Sequence, residues 1–315
     1  MRLIKPSFEI WDQQEGLEGI YKQIERAGRV CYKSEDKITE DSAKEFVERM
    51  IKSWHGAMLE HGTVHLKLEG VFLNPTDRVV KYGNYVVNHY ADNKYSKVVI
   101  KHDKEWKSDV YITTNYRVLI ENNWLDDLKY LCEPTKFHEE RITVKFTCDR
   151  GVSHEFVRHR VFSFAQESTR YCNYSKDKSQ GVTYIQPPWL DGDISNEDGS
   201  KFNDVYTDIY SHTLTTAENA YLDLLKQWDN KVPDKRFKSG YKNNPWTPQQ
   251  ARAVLPNSLK TELVMTGFVS DWEHFFKLRD AGSAHPQARE LAHPLHMEFL
   301  RRNYLVDLYD EANPD

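Results

Sequence analysis

Arg158, His159 and Arg160 are consecutive, and Ser163, Gln166, Glu167, Ser168, Thr169, Arg170 and Tyr171 follow closely. Three guanidinium groups in so short a stretch suit an anion, because each fork donates two parallel hydrogen bonds and keeps its charge. On a helix, neighbouring side chains leave the axis about 100° apart, so the triplet cannot close on one small group. It suits a large, multiply charged ligand, or two ligands that meet. The segment from Gln166 to Arg170 reads as a polar loop able to wrap an anion. A solvated basic face would explain an arbitrary Arg-x-Arg as well. This triplet, however, leads straight into Ser-x-x-x-x-Ser-x-Arg-Tyr. No histidine–acid pair is evident to activate Ser168, so anchoring a ligand is its expected role.

Other reactive side chains carry weaker signals. His55, His61 and His65, with Glu60 beside one of them, have spacings that fit no common ligand pattern once a strand intervenes, and no metal is expected. Cys31, Cys132, Cys148 and Cys172 are widely spaced, with no Cys-x-x-Cys, which indicates neither a disulfide framework nor a zinc knuckle. Cys31 reads as a small buried thiol. Neither a glycine-rich dinucleotide fingerprint nor a P-loop occurs, so any dinucleotide would bind outside a Rossmann fold.

The 315 residues can bury a substantial core in one or two domains. Fourteen Phe, eighteen Tyr and eight Trp argue against disorder. A net charge of −5 argues against a generally basic nucleic-acid binder while leaving room for a local positive pocket. No apolar run approaches the roughly 20 residues that span a bilayer, and Met1–Pro6 does not read as a signal peptide. A cytoplasmic protein with no membrane association is expected.

The elements that would position these groups can be read from periodicity. Residues 1–40 suggest a strand and a short helix carrying Ile20, Ile24 and Ala27. Ser42-Ala43-Lys44-Glu45 looks like a capping box, with Phe46, Val47, Met50, Ile51 and Trp54 as the apolar stripe of a helix ending near His55-Gly56. Val64, Leu66 and Leu68 alternate as a strand. From about 69 to 140 the chain has its own order: a turn at Asn74-Pro75, a strand over Val110–Leu119, and a short helix around Trp124, Leu128 and Leu131. Ile142, Val144 and Phe146 predict a strand, and Ser153 an N-cap for a helix on which the basic triplet sits late. Val182–Gln186 reads as a strand and 191–201 as an acidic surface loop. A long amphipathic helix is expected from Phe202 to Trp228, with Ile209, Leu214 and Tyr221 inward, and a basic linker over Lys231–Asn244. Thr247-Pro248-Gln249-Gln250 predicts a capped short helix bearing Arg252. Leu259, Leu263 and Thr266 predict another helix, then come Trp272, Phe275, Phe276 and Arg279, and a final helix carries Leu291, Leu295 and Phe299.

Arg158-His159-Arg160, seven residues and then Ser168 resemble the signature of the flavin-dependent thymidylate synthases (the ThyX family), and Arg170-Tyr171 extend the similarity. His55, Glu60 and His61 look like the family's flavin-contacting His-x-x-x-x-Glu-His element. Ala251-Arg252-Ala253-Val254-Leu255-Pro256 looks like its phosphate-binding Ala-Arg-x-x-Leu-Pro segment, and Phe276-Lys277-Leu278-Arg279 like its Leu-x-Leu-Arg, whose arginine meets the uracil base. His285-Pro286-Gln287 is similar to its closing His-x-Gln. The similarity covers roughly residues 20–66 and 141–300, with 69–140 as an insertion in a single catalytic domain. Departures occur at Glu155, where the family has glutamine, at Ala165, where it often has asparagine, at Phe268 and Ser270, where it has flavin contacts, and at His274, where it has a further asparagine.

The resemblance implies an α+β fold with helices packed on a central, largely antiparallel sheet. It implies reductive methylation of dUMP to dTMP, with 5,10-methylenetetrahydrofolate as carbon donor and NADPH reducing FAD. The implied dUMP contacts are Glu155, Arg158, Glu167, Ser168, Arg170, Arg252 and Arg279, with Arg279 catalytic through stabilising an N3-deprotonated uracil. The implied FAD contacts are His55, Glu60, Arg158, His159, Arg160, Ser163, Glu167 and His285. A homotetramer with active sites shared between subunits is implied as well. A nucleotide phosphohydrolase or a nucleic-acid binder could use the same arginines; bound flavin would exclude both.

Overall fold

A computed structural model describes residues 2–72, 85–102, 107–176, 181–190, 205–226 and 245–305. In chain order the elements are β1 (Arg2–Ile4), β2 (Ser7–Trp11), α1 (Gly16–Tyr32), α2 (Ser42–Lys52), α3 (Gly56–Leu59), β3 (Thr63–Phe72), α4 (Tyr85–Ala91), β4 (Lys97–His102), β5 (Lys107–Asn115) and α5 (Tyr116–Asn122). There follow β6 (Arg141–Asp149), α6 (Arg150–Phe156), β7 (Ser163–Gln166), β8 (Thr183–Ile185), α7 (Val205–Leu225), α8 (Pro248–Ala251), β9 (Lys260–Phe268), α9 (Val269–Arg279) and α10 (Pro286–Arg301). The readings at 74–75, 191–201 and 231–244, and those of Phe202 and Trp228, lie outside the described residues.

The sheet that organises the site is antiparallel, in the order β2-β6-β9-β7. Its middle strands are covered on both faces, with an apolar row on one and a mixed row of Thr, Lys, Glu and Val264 on the other. On one face Val144, Phe146, Leu263 and Met265 meet Phe156 of α6, Trp272, Phe275 and Phe276 of α9, and Leu291, Leu295 and Phe299 of α10. On the other, Val264 and Ala165 meet Ala27 and Val30 of α1. The outcome is an α+β architecture with a largely antiparallel sheet, as the resemblance implied.

A second antiparallel sheet, β3-β5-β4, packs on the far side of α1. Ile20 and Ile24 of α1, Phe46 and Met50 of α2, Val64 and Leu66 of β3, and Val87, Tyr90, Val110 and Leu119 share one core. So residues 85–122 bury their apolar faces against the same helices that back the first sheet. A two-stranded parallel pair, β1 and β8, joins α7 through Tyr184, Leu214 and Tyr221.

Several expectations need correction. The stretch read as a helix through Leu259, Leu263 and Thr266 is strand β9, Lys260–Phe268: Leu263, Val264 and Met265 are consecutive and all buried, which blurs the period-2 alternation, and Leu259 and Leu263 then mimic helical i, i+4 spacing. Strand β5 ends at Asn115, and the stretch to Leu119 turns into α5, because the Asn115 side chain caps it by accepting from the Val118 N–H at 3.2 Å. Likewise Asp149, not Ser153, caps α6, accepting from the Val152 N–H at 2.8 Å. Ser42 caps nothing; its hydroxyl donates to Glu25 Oε2 at 2.8 Å. Trp54 leaves the expected stripe, 91% exposed on a left-handed residue (φ 58°) where the chain exits α2, and Gly56 opens α3 instead of closing α2. Ile209, expected inward on α7, is exposed.

Candidate functional site

Helix α6 stops at Phe156, so Arg158, His159 and Arg160 stand in the turn that leads from it to β7. Helical geometry therefore does not separate them; burial does. Arg158 and Arg160 are exposed, whereas His159 is 7% exposed. The His159 ring is held inside by Phe275, 5.0 Å away, and Phe162. Arg279, the last residue of α9, reaches back to this turn. Its Nε donates to His159 Nε2 at 3.0 Å, its Nη1 to Glu155 Oε2 at 2.6 Å and its Nη2 to the Glu155 carbonyl at 2.8 Å. Because Nε2 accepts, the ring proton sits on Nδ1. Burial, then Arg279 and His274, lower the His159 pKa to about 4, so the ring is neutral at physiological pH. Three residues read separately in the sequence thus form one unit: Glu155 and His159 fix the plane of the Arg279 guanidinium.

A second unit lies where β7 runs out. The Glu167 N–H donates to the Glu262 carbonyl and the Ser168 N–H to the Cys31 carbonyl, at 2.9 and 3.0 Å. The Ser168 hydroxyl accepts from the Arg170 N–H at 3.3 Å, and Arg252 Nη1 donates to Thr169 Oγ1 at 2.9 Å. Arg170 and Arg252 are exposed, as is Tyr171, whose ring lies 5.4 Å from that of Tyr32. Tyr32 in turn meets His55 Nδ1 at 3.4 Å. Ser168, Arg170, Arg252 and His55 therefore gather around the C-terminal end of α1. Glu167 faces the opposite way: 2% exposed, it accepts from Lys260 Nζ at 2.9 Å and from the Tyr174 hydroxyl at 3.0 Å.

Other residues expected at the site have internal partners. Ser163 Oγ, buried, accepts from Arg141 Nη2 at 3.3 Å, and Arg141 Nη1 donates to the Glu60 carbonyl at 3.1 Å. The Glu60 carboxylate pairs with Arg117. His61 is fully buried, with Nδ1 2.8 Å from Thr266 Oγ1. His285 precedes α10 and is exposed, its ring 6.1 Å from that of Trp189. Phe268 is buried at the start of α9, and Ser270 Oγ donates to Glu139. Arg141, Lys33, Lys260 and Glu262 were missed by sequence reasoning. They sit on strands or at a helix end with no motif around them, and only the sheet register brings them in.

A cavity of about 240 Å³ opens elsewhere, between the start of α1 and residues 131–134, and none of the expected site residues lines it. Among the described residues, Asp12, Glu15, Glu133 and Glu140 line that cavity against the one cation Arg141, so its lining is acidic on balance. The exposed Arg158, Arg160, Arg170 and Arg252 supply the opposite field.

Burial also fixes a pH dependence of stability. It lowers the pKa of His61 to about 3 and those of His65 and His159 to about 4, with nearby arginines or His138 adding to the effect. Between pH 6.5 and 4 the unfolded chain then binds protons that the folded chain refuses, so stability falls as pH falls through that window. The expected loss is on the order of 2 kcal/mol per histidine between pH 7 and 5. Denaturant unfolding at both pH values measures it, and equal stabilities would show that these rings are not buried neutral.

Against known proteins, the model of the family described as thymidylate synthase complementing protein matches residues 86–302. The match takes in residues 86–140, which the sequence reading set apart as insertion. A flavin-dependent thymidylate synthase of Corynebacterium diphtheriae is 30% identical over 143 residues, 45% of this chain and 50% of that protein. One from Mycolicibacterium vanbaalenii is 31% identical over 166 residues, 53% of this chain and 57% of that protein. The chain spans about half the length of the curated relatives it matches. Among solved structures, a UMP/dUMP methylase PolB from Streptomyces cacaoi bound with 5-Br dUMP is 17% identical, with a TM-score of 0.39 over 96% of this chain and 93% of that one.

Proposed function

The chain belongs to the thymidylate synthase complementing protein family, and from that premise we propose that it methylates dUMP to dTMP reductively. Methylenetetrahydrofolate is the carbon donor and NADPH the reductant for FAD. The observation that carries this reading is the Glu155–His159–Arg279 unit, which joins the arginine triplet's turn to the end of α9 through three hydrogen bonds.

FAD, when bound, supplies the hydride. The donor set fits it: the exposed guanidiniums of Arg158 and Arg160 suit a pyrophosphate, and His55, with Tyr32 behind it, offers an aromatic edge. His159 and Ser163 are buried and accept from Arg279 and Arg141, so their part is to hold those two guanidiniums from within. Ser168, Arg170 and Arg252 hold the dUMP phosphate. Arg279 stabilises the N3-deprotonated uracil, which makes C5 nucleophilic. It cannot itself be the base, because arginine stays protonated.

That electrostatic route replaces a thiolate nucleophile. Burial raises the Cys31 thiol to about 11 and the Cys172 thiol to about 12, and it raises Cys132 and Cys148 as well. Thiols so placed stay protonated and unreactive. The proposal includes a cytoplasmic homotetramer in which neighbouring subunits complete each site.

The visible absorption spectrum of the protein incubated with FAD, followed by NADPH oxidation with and without dUMP, tests the reading. A protein-bound flavin spectrum with dUMP-dependent oxidation supports it. A folded protein that binds no flavin overturns it, and leaves a phosphohydrolase or a nucleic-acid binder using the same arginines. Within the reading, Arg252→Ala is expected to weaken dUMP binding roughly 10- to 100-fold, the worth of one charge-assisted hydrogen bond, with flavin content unchanged. Calorimetric titration with dUMP measures this, and an unchanged affinity removes Arg252 from the phosphate site.

A further inference from the structure

Behind the Ser168–Tyr171 segment lies a ring of four charges that no part of the proposed chemistry uses. Lys33 Nζ sits 2.5 Å from Glu262 Oε2 and 3.9 Å from Glu167 Oε2, with the exposed Glu35 carboxylate also 3.9 Å away. Lys260 Nζ sits 2.9 Å from Glu167 Oε2 and 3.1 Å from Glu262 Oε1. Each lysine thus faces both carboxylates. Tyr174 closes the remaining side by donating to Glu167 Oε1 at 3.0 Å. The Glu167, Glu262 and Lys260 side chains are 1%, 13% and 14% exposed, so their pairs are screened little by solvent, whereas Lys33 closes the ring from the rim at 35%. Burial would raise Glu262, but Lys260 and Lys33 outweigh it and hold that carboxyl down at about 2.

The ring joins three pieces of chain that meet at the anion loop. Lys33 is the left-handed residue that ends α1 (φ 48°). Two residues earlier, the Cys31 carbonyl accepts the Ser168 N–H. Glu262 and Lys260 stand on β9, and the Glu262 carbonyl accepts the Glu167 N–H. Glu167 is the residue immediately before Ser168. Side chains and backbone therefore clamp the same peptide from both sides, and they do so just before the hydroxyl and guanidinium that face solvent.

We propose that Lys33 is a positioning residue: with Glu262 and Lys260 it anchors Glu167 inward, and so sets the Ser168–Arg170 segment in the conformation that receives the nucleotide phosphate. Glu167 is then an internal anchor and not a ligand contact. This rests on the dUMP reading above. The loop-holding part, however, is measurable without any nucleotide.

The test compares the full-length protein with Lys33→Met and Lys33→Arg. Two quantities are read: amide hydrogen exchange of the peptide containing residues 167–171, and dUMP affinity by titration. Removing one cation leaves the two carboxylates facing a single lysine, and a broken buried pair leaves an uncompensated charge. Lys33→Met is expected to lose protection at 167–171 and to weaken dUMP binding about tenfold or more, with flavin content and protection of α9 and α10 kept. Lys33→Arg, which restores the charge, is expected to recover both quantities. Protection and dUMP affinity both unchanged in Lys33→Met would overturn the proposal, as would uniform loss of protection across the protein without rescue by Lys33→Arg. Selective loss at 167–171 in a protein that binds no dUMP even as wild type would keep the loop-holding role and sink the nucleotide reading instead.

Discussion

Arg279→Ala is expected to leave FAD bound and to lower turnover by about 10²- to 10³-fold or more, the loss typical of removing one preorganised electrostatic stabiliser. The physical reason is preorganisation. The guanidinium of Arg279 is fixed before any ligand arrives, by the Glu155 carboxylate, the Glu155 carbonyl and His159 Nε2. A charge already oriented costs no reorganisation when the uracil becomes anionic. Flavin should stay, because Arg158 and Arg160 face solvent on either side of His159, and the hydrogen bonds of Arg279 go to His159 and Glu155. Arg279→Lys keeps the charge but cannot reproduce three hydrogen bonds in one plane, so it is expected to stay well below wild type. Steady-state rates, with flavin absorbance as the binding control, settle the matter. Near-normal turnover in Arg279→Ala would remove Arg279 from its role.

The largest stability effect is expected from Trp272→Ala, at about 3–5 kcal/mol. Trp272 is fully buried, and its indole N–H donates to the Ile142 carbonyl at 3.1 Å. Its ring meets Phe162 at 4.6 Å, Phe275 at 5.2 Å and Phe299 at 5.4 Å. Alanine would open a cavity and also leave a buried carbonyl without its donor. Phe162 follows the arginine triplet by two residues and rests on this indole, so the same substitution should loosen the turn that holds His159. Trp272→Phe keeps most of the volume and is expected to cost less. Urea unfolding midpoints measure both, and a loss below about 1 kcal/mol for the alanine variant would mean that the core closes over the gap.

Much of this was legible in the chain. Val144 and Phe146 on a strand, the stripe Leu291, Leu295 and Phe299, and the capping pair Thr247 and Gln250 are local features, and the structure has them where the spacing put them. Glu155, His159 and Arg279, and likewise Ser168, Arg170 and Arg252, were singled out on the chain, whereas Tyr32 and Glu262, which complete the second unit, were not. What misled was context. Leu263 and Thr266 looked helical because Leu263, Val264 and Met265 of β9 are consecutive apolar residues that blur the alternation, and Ser153 looked like a cap because Asp149, the actual one, lies in the strand that precedes it. The triplet looked helical because no proline or glycine marks the end of α6 at Phe156.

By itself, then, the sequence determined the types of group present: arginines suited to an anion, a serine in a polar loop, and cysteines with nothing to activate them. Residue identity and short-range spacing carry that information, since chemistry depends on what a side chain is. Only the tertiary structure decided which of those groups face outward and which hold the others in place. Arg158 and Arg160 point to solvent while His159 between them is buried, and Ser168 stands at the surface while Glu167 turns toward Lys33 and Lys260. Those directions follow from strand register and from the helices that cover each face, and they join residues as far apart as Lys33 and Glu262. A buried charge needs a partner wherever the chain can supply one, and in this protein the partner comes from another strand or helix.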